Sequence, residues 1–388
     1  MKCGVVKETY PGERRVALVP AVLAALAKAG INCLVESGAG EAAGFSDQAY
    51  LDQGAELVPT REQVFAAADL MVHVRALGAN CEAGITDLGL VRRGQTLVGF
   101  CDPLGAPEAL VQFSARGVTA LSMEMIPRIT RAQSMDALSS MAMLAGYKAV
   151  LLGASALPKM FPLMMTAAGT LLPARALVLG VGVAGLQAIA TARRLGAVVE
   201  AYDVRPDVKD QAQSLGAKFL DLPLETQGAQ DAGGYAKAFD ESFYRRQRDL
   251  LLGALGRQDV VITTAAVPGR KAPILITTEM VEAMHAGSVI VDLAAERGGN
   301  CELTRLGETV VHQGVTVLGP DNLPATVPQH ASQMYAKNVA SFLALLVKEG
   351  KLQLDLEDEI TREALVVREG EILHPKVLEA LERNATRS

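Results

Sequence analysis

The segment from Gly180 to Gly185 contains the residue types that bind the pyrophosphate of a dinucleotide. It reads Gly-Val-Gly-Val-Ala-Gly, follows an apolar strand predicted over 176–179, and precedes an amphipathic helix predicted over 186–195. Asp203 ends the next predicted strand, 18 residues beyond Gly185. This strand, glycine turn, helix and acidic residue form the full context that the dinucleotide-binding fingerprint requires.

Each residue of this motif has a specific expected role. Gly180 permits the tight turn, Gly182 lets the backbone approach a pyrophosphate, and Gly185 lets the helix pack closely on the strand. The helix N-terminus then offers unpaired N–H groups and a positive dipole to the phosphates. Asp203 is expected to accept hydrogen bonds from the adenosine ribose and to repel a 2′-phosphate, which favours NAD. Arg205 weakens that preference, because an arginine can bind a 2′-phosphate. A tight turn without a ligand is the alternative.

A polar segment that begins at Arg128 has two interpretations. In the first, Thr130 and Gln133 form a capping box for a long helix, and Asp136 in the first turn complements the helix dipole. In the second, Arg128, Gln133, Asp136 and Ser139 face a cleft. Gln133, Asp136 and Ser139 are spaced by three residues and would share one helix face. This set offers the donors and acceptors that a carboxamide needs.

Composition narrows the class of protein. The chain has 388 residues, 50% of them hydrophobic, with a net charge of −6 and no Trp. Its length predicts two or three domains of about 100–200 residues each. The longest uncharged run, residues 176–192, is shorter than the roughly 18–20 residues of a membrane-spanning helix. We therefore expect no direct membrane span, no signal peptide and no nucleic-acid surface.

The cysteines suggest free thiols in a reducing cytoplasm. Five cysteines are scattered along the chain, and neither they nor the five histidines have metal-ligand spacing. We therefore expect no metal site.

Strands and helices alternate along the chain, which predicts parallel sheets. The predicted fold class is α/β, with two Rossmann-like doubly wound parallel-sheet domains and a cleft between them. The domains are predicted at 1–135 plus 330–388 and at 136–329. The predicted strands are 3–6, 32–36, 69–74, 96–100, 119–125, 176–179, 198–202, 260–264, 289–293 and 316–318. The predicted helices are 21–29, 107–115, 134–157 and 331–348. Residues 225–234 read as a surface loop, and 352–374 as short strands joined at Glu369-Gly370.

Several stretches together resemble one known family. They are 7–8, 12–17, 127–140, 180–196, 233–237, 263–269, 291–294 and 298–300. The chain resembles the NAD(H)-binding component of proton-translocating NAD(P) transhydrogenase, within the alanine dehydrogenase/transhydrogenase family. Ala266-Val267 stands where that family usually has Leu-Ile, a mild departure.

The resemblance implies an activity and a set of site residues. The activity is Re/Si-specific direct hydride transfer between NAD(H) bound here and NADP(H) on a partner subunit, coupled to proton translocation. Such a transfer needs positioning and exclusion of water rather than an acid or base. The implied catalytic residues are Arg128, Gln133, Asp136, Ser139 and Tyr235, the last on a mobile loop that folds over the nucleotide. The implied cofactor-binding residues are Arg128, Ile129, Gln133, Gly180, Gly182, Val183, Gly185, Asp203, Val204, Arg205, Gly234, Ala265 and Ala266.

The resemblance also implies partners and a location. The partners are NADP(H)-binding and membrane-spanning subunits, together with a second copy of this chain in a homodimer. The expected location is cytoplasmic, peripheral at the inner face of the membrane. We expect substitutions of Asp136 or Arg128 to slow hydride transfer more than they weaken NADH binding.

The same scaffold resembles alanine dehydrogenase, which is the alternative function. That enzyme binds its substrate through an Arg and a Lys and uses a His as acid/base. The Arg position falls on Arg15, but the Lys position falls on Arg75 and the His position on Asp102. A guanidinium hardly releases a proton, and an Asp is a poor acid near neutral pH. These replacements argue against amino-acid oxidation. A non-enzymatic NAD-binding or regulatory protein is a further alternative.

Overall fold

The computed structural model describes residues 1–224, 239–267 and 269–386. The chain divides into two compact units, one made of Met1–Met141 with Pro324–Ser388 and the other of Ala142–Leu323. Glu225, Gly234 and Tyr235 lie outside the described residues, as does Pro268, so the loop expected over 225–234 lies outside them too.

The first unit contains an eight-stranded sheet. Its six strands from the N-terminal part of the chain are parallel, and two strands from the tail extend the sheet antiparallel. In spatial order the strands are Glu371–Ile372, Leu365–Arg368, Thr119–Ser122, Thr96–Phe100, Leu70–Arg75, Lys2–Val5, Asn32–Glu36 and Glu56–Val58. The central strands are mostly apolar and nearly all of their residues are buried, as in sheets covered on both faces. The helices are Pro20–Lys28, Asp47–Leu51, Arg61–Ala67, Ile85–Leu88, Glu108–Ala115, Pro328–Leu346, Glu359–Ala364 and Pro375–Ala385. Val347–Lys348 and Lys351–Leu352 form a short hairpin.

The second unit contains a seven-stranded sheet with the strand order of a dinucleotide-binding fold. In spatial order the strands are Lys218–Phe219, Val198–Tyr202, Arg175–Leu179, Val260–Thr263, Val289–Asp292, Val315–Leu318 and Thr309–His312. All are parallel except the last, which is an antiparallel edge. The helices are Val183–Arg194, Lys209–Ser214, Glu241–Leu255 and Thr278–Glu282, and most of Ala137–Ala156 also belongs here. A separate hairpin pairs Met164–Thr166 with Gly169–Leu171.

The predicted fold class, two Rossmann-like parallel-sheet domains, is confirmed by these sheets, while some elements differ. The strand expected over 119–125 ends at Ser122, and a 3₁₀ turn, Met123–Met125, follows it. Residues 352–374 were expected to form short strands, but they also contain the helix Glu359–Ala364, which precedes the strands Leu365–Arg368 and Glu371–Ile372. The helix Pro375–Ala385 follows, beyond the range of that expectation. The turn at Glu369-Gly370 joins those strands as expected, with both residues at positive φ.

The long helix begins later than the sequence suggests. It was expected over 134–157 and spans Ala137–Ala156, preceded by a 3₁₀ turn over Thr130–Met135. Among the described residues, this is the one helix long and apolar enough to cross a membrane by length and composition, and about a third of it is buried. Core helices meet the same criterion, so the finding is weak evidence for a membrane span.

Candidate nucleotide-binding site

Two glycines of the 180–185 turn are required by the structure itself. Gly180 follows the strand Arg175–Leu179 with φ +96°, in the left-handed region that favours glycine. A Cβ on Gly180 would lie 2.6 Å from the Thr264 hydroxyl, which donates a 2.9 Å hydrogen bond to the Gly180 carbonyl. A Cβ on Gly185 would lie 1.9 Å from that same carbonyl. Helix and strand therefore pack too closely here for any side chain.

Gly182 differs from its two neighbours, because neither conformation nor packing calls for a glycine there. Its φ of −80° and ψ of −166° are open to any residue. Among the described residues other than Gly182 and its two chain neighbours, the atom nearest to a Cβ there would be Arg205 Nη2, at 4.0 Å. The helix Val183–Arg194 starts at this point without a side-chain cap. The turn thus leaves space beside a helix N-terminus, the arrangement that binds phosphate groups.

Asp203 ends the strand Val198–Tyr202 beside the glycine turn, as predicted. Its carboxylate is buried and accepts the backbone N–H of Val181 at 2.7 Å, which ties the acidic residue to the turn. Arg205 fills the other acceptor positions of this carboxylate. Its backbone N–H and its Nε donate to Oδ1, and its Nη2 donates to Oδ2. Val204, between them, is half-buried against the core. The sequence predicts both polar residues but not their pairing.

The loop after Val260–Thr263 completes this edge of the sheet. Ala265 is half-buried and Ala266 is exposed. Asn300 holds Ala265 from both sides, because its side chain accepts the Ala265 N–H at 3.0 Å and donates to the Ala265 carbonyl at 2.8 Å. The same amide donates to the Pro273 carbonyl at 2.9 Å. The loop is therefore fixed by a fully buried side chain.

Asp292 in turn fixes the segment that carries Asn300. It is fully buried at the end of Val289–Asp292 and accepts backbone N–H groups from Ala294, Asn300 and Cys301. Two threonine hydroxyls complete its shell. Roles for Thr264, Asp292 and Asn300 were missed from the sequence. The available signal was polar residues directly after apolar parallel strands, where ligands bind in such sheets.

In the first unit, Asp136 and Ser139 contact each other directly. Asp136 precedes the long helix, and its carboxylate accepts the Ser139 N–H at 2.8 Å and the Ser139 hydroxyl at 2.6 Å. Asp136 is therefore the N-cap, and the predicted capping box of Thr130 and Gln133 is wrong. An aspartate three residues before an available N–H is a favoured cap, so the helix begins after Asp136.

The shared helix face predicted for Gln133, Asp136 and Ser139 is also wrong, because Gln133 lies in the 3₁₀ turn and Asp136 has non-helical ψ of 85°. Arg128 and Gln133 are exposed, and Ile129 is half-buried. The Asn338 amide donates to the Ser134 carbonyl at 2.9 Å, which anchors the segment to the helix Pro328–Leu346. The four polar residues thus lie on one anchored segment, although on different elements.

The first unit contains further buried polar residues, among them Arg15. This buried guanidinium donates to both carboxylate oxygens of Glu13, at 2.8 and 2.6 Å. Glu8 accepts the N–H groups of Val74 and Arg75, and burial followed by the nearby Glu13 charge raises the pKa of Glu8 to about 8. At Asp102 the backbone has φ +46°, and its N–H donates to Glu124. No sequence signal predicted this pairing of Glu13 with Arg15.

The strand order, the glycine turn and the acidic residue beside it define a dinucleotide-binding protein of the Rossmann type. The family model described as "Alanine dehydrogenase/PNT, N-terminal domain" matches residues 4–145, and "Alanine dehydrogenase/PNT, C-terminal domain" matches 149–375. The chain belongs to this family and, within it, is a nucleotide-binding oxidoreductase of the NAD(P) transhydrogenase alpha-subunit type.

Individual relatives support that placement. A Rhodospirillum rubrum protein, named as the first portion of NAD(P) transhydrogenase subunit alpha, is 47% identical over 378 residues, covering 97% of this chain and 98% of the relative. A crystal structure of transhydrogenase from Sinorhizobium meliloti superposes with a TM-score of 0.83 at 39% identity, covering 97% and 99% of the two chains. The alanine dehydrogenase of Mycobacterium tuberculosis is more distant, at 29% identity over 97% of this chain and 96% of its own.

Proposed function

We propose that this chain is the NAD(H)-binding subunit of a proton-translocating transhydrogenase. It passes hydride directly, with Re/Si specificity, between NAD(H) held here and NADP(H) on a partner subunit, and proton translocation across the membrane is coupled to that transfer. The observation that carries the proposal is Gly182, where neither the backbone conformation nor contact with the described residues requires a glycine, as expected where a ligand approaches the backbone closely. The similarity to proteins named transhydrogenase subunit alpha supports it.

The residues of the second unit suit the binding of NAD(H). The N-terminus of Val183–Arg194 faces the space at Gly182 and would hold the pyrophosphate. Asp203 would hold the adenosine ribose, and the fixed Ala265 loop would line the site. NAD(H), when bound, supplies the hydride donor or acceptor. The protein then has only to orient the reacting ring and exclude water. Gly234 and Tyr235 are proposed to cover the nucleotide.

The residues of the first unit suit the orientation of a nicotinamide carboxamide. Arg128 and Gln133 are exposed, and Asp136 and Ser139 hold each other in place. We propose that all four contact the nicotinamide end. No general acid or base is required of them, because hydride transfer moves no proton at the reacting carbons.

The variant Asp136→Asn tests whether Asp136 orients the nicotinamide ring without contributing much to NADH affinity. Asn caps helices as well as Asp does, so the long helix is expected to remain, while the site loses a charge. We expect hydride transfer per bound nucleotide to fall roughly tenfold or more, with NADH affinity changed by no more than about threefold. Single-turnover rates and NADH titrations would measure the two effects.

Ser140→Ala is the matched control for that variant, because its hydroxyl donates to the Asp136 backbone carbonyl, at 3.1 Å, and not to the carboxylate. Ser140→Ala should leave the rate of hydride transfer per bound nucleotide and the NADH affinity near their wild-type values. Loss of NADH binding in Asp136→Asn, with the transfer rate per bound nucleotide unchanged, would contradict the orienting role.

Alanine dehydrogenase activity is the second candidate, because a relative at 29% identity has that name. Arg75 and Asp102 stand where that enzyme's lysine and histidine are expected. The isolated chain should bind NADH in a fluorescence titration and should not reduce NAD with alanine. Rapid alanine oxidation would overturn the proposed function, and NADH binding without transfer in the presence of the partner subunit would favour a regulatory protein.

The proposed partners are the NADP(H)-binding and membrane-spanning transhydrogenase subunits, and the proposed location is the cytoplasmic face of the membrane. The relatives' name, subunit alpha, indicates a complex with other subunits. We also propose a homodimer. Its surface is the hairpin Met164–Thr166 and Gly169–Leu171, whose strand residues are all exposed. A lone two-stranded hairpin is barely stable in water, and exposed apolar patches mark interaction sites.

Charges on this hairpin should dissociate the dimer. Met165 in the hairpin and Leu172 directly after it are 79% and 69% exposed, so Met165→Asp with Leu172→Asp should leave the fold intact. We expect sedimentation analysis to give twice the chain mass for wild type and a single chain mass for the variant. Leu306→Asp changes another exposed leucine of the same unit and should stay dimeric. A dimeric hairpin variant would place the interface elsewhere.

A further inference from the structure

The carboxylate of Asp203 has no free acceptor position in this structure. Oδ1 accepts the Arg205 N–H and Nε, both at 2.9 Å. Oδ2 accepts the Val181 N–H at 2.7 Å and Arg205 Nη2 at 2.8 Å. A carboxylate offers about four acceptor sites, and all are filled. A ribose diol that hydrogen-bonds to Asp203 must therefore displace one of these donors, and the guanidinium of Arg205 is the one that a side-chain rotation can move, since the other two are backbone N–H groups.

The same guanidinium covers the glycine turn. Within the described part of the chain, and apart from the neighbours of Gly182 in sequence, Arg205 Nη2 is the atom closest to the position of a Cβ on Gly182, at 4.0 Å. Both side chains of the pair are largely buried, with 12% of Arg205 and 5% of Asp203 exposed. The pair is therefore better shielded from water than a surface ion pair, and breaking it has a measurable cost.

We propose that Arg205 competes with the nucleotide for Asp203, and that this competition sets both the affinity for NAD(H) and the discrimination against NADP(H). The inference rests on the proposed function, in which this turn binds NAD(H). For NADH, binding must break the Arg205–Asp203 pair. For NADPH, the 2′-phosphate is repelled by Asp203 but attracts the displaced Arg205. Removing the guanidinium therefore has opposite effects on the two nucleotides.

Arg205→Met tests this directly, because it keeps an unbranched apolar stem and removes the charge and the donors. We expect the Kd for NADH to fall roughly three- to tenfold, because Asp203 no longer has a competitor. The Kd for NADPH should rise, so the preference for NADH over NADPH should grow by about tenfold or more. Calorimetry and NADH fluorescence measure both constants, and circular dichroism checks the fold.

Arg257→Met is the matched control. Arg257 likewise donates to a buried carboxylate of the same unit, that of Glu200, at 3.1 Å. This variant should leave both Kd values unchanged. Asp203→Asn, alone and combined with Arg205→Met, completes a double-mutant cycle in which the gain in NADH affinity disappears.

The outcomes separate the inference from the proposed function. If the wild-type chain binds no NADH, both the proposed function and the inference are wrong. If wild type binds NADH but Arg205→Met binds it equally or more weakly, the inference alone fails. An equal gain in Arg257→Met, or a gain that survives in Asp203→Asn, overturns it as well.

Discussion

Gly182→Ala is expected to weaken NADH binding by roughly 100-fold while leaving the protein fully folded. Apart from its chain neighbours, an alanine Cβ meets no atom of the described residues nearer than 4.0 Å, and alanine adopts the observed φ and ψ without strain. Its methyl group would fill the space that the pyrophosphate needs. Losing about two hydrogen bonds to charged phosphate oxygens corresponds to about 3 kcal/mol, or about two decades in Kd.

The control for Gly182→Ala lies three residues along the turn. In Gly185→Ala the new Cβ would lie 1.9 Å from the Gly180 carbonyl, so backbone must move. That variant should lose about 1–3 kcal/mol of stability. In contrast, Gly182→Ala should match or slightly exceed wild type, because alanine restricts the unfolded chain. Thermal unfolding and NADH titration of both variants give the comparison. Tight NADH binding by Gly182→Ala would show that the glycine does not serve a ligand.

Asp292→Ala is expected to cause the largest loss of stability. The carboxylate accepts the Thr263 and Thr304 hydroxyls at 2.8 and 2.6 Å and three backbone N–H groups at 2.7 to 3.0 Å. All five donors would lose their partner in a fully buried place. At about 1 kcal/mol or more for each donor left unsatisfied, the loss is on the order of 5 kcal/mol. Such a loss is comparable to the whole stability of many domains.

Urea unfolding followed by circular dichroism measures that loss. Asp221→Ala is the control, because Asp221 forms an exposed ion pair with Lys209 at 2.7 Å. An exposed pair contributes about 0–1 kcal/mol. We expect the urea midpoint of Asp292→Ala to lie far below that of Asp221→Ala. Asp292 accepts the Asn300 N–H, and the Asn300 side chain accepts the Ala265 N–H. We therefore expect Asp292→Ala to weaken nucleotide binding as well as stability. Equal midpoints for the two variants would mean that the buried network stabilises little.

The fold was readable from the sequence because buried parallel strands are continuous apolar runs. The strands Asn32–Glu36, Thr96–Phe100 and Val198–Tyr202 lie where the pattern predicts them. The glycine turn was equally readable, since its spacing reflects local geometry. Short edge strands such as Glu56–Val58 were missed, because three residues form no clear period.

Features that depend on residues far away in the sequence could not be predicted from it. The start of the long helix depends on a choice between two local caps, and Asn338 fixes the preceding turn from 204 residues away. The helix Glu359–Ala364 is capped by Asp358, which pairs with Arg131 in the middle of the chain. Likewise, Asp203 and Arg205 were identified as site residues, but their mutual saturation depends on side-chain conformations that spacing does not encode.

Hydride transfer between two bound nucleotides is the central claim, and one mixing experiment tests it most directly. The purified chain is mixed with the NADP(H)-binding partner subunit, and reduction of an NAD analogue by NADPH is followed by absorbance. We predict rapid reduction that needs both proteins and that falls steeply, at an NAD analogue concentration near the wild-type Kd, when Gly182→Ala replaces the wild-type chain. NADH binding with no transfer at saturating partner, or transfer that persists without this chain, would contradict the account.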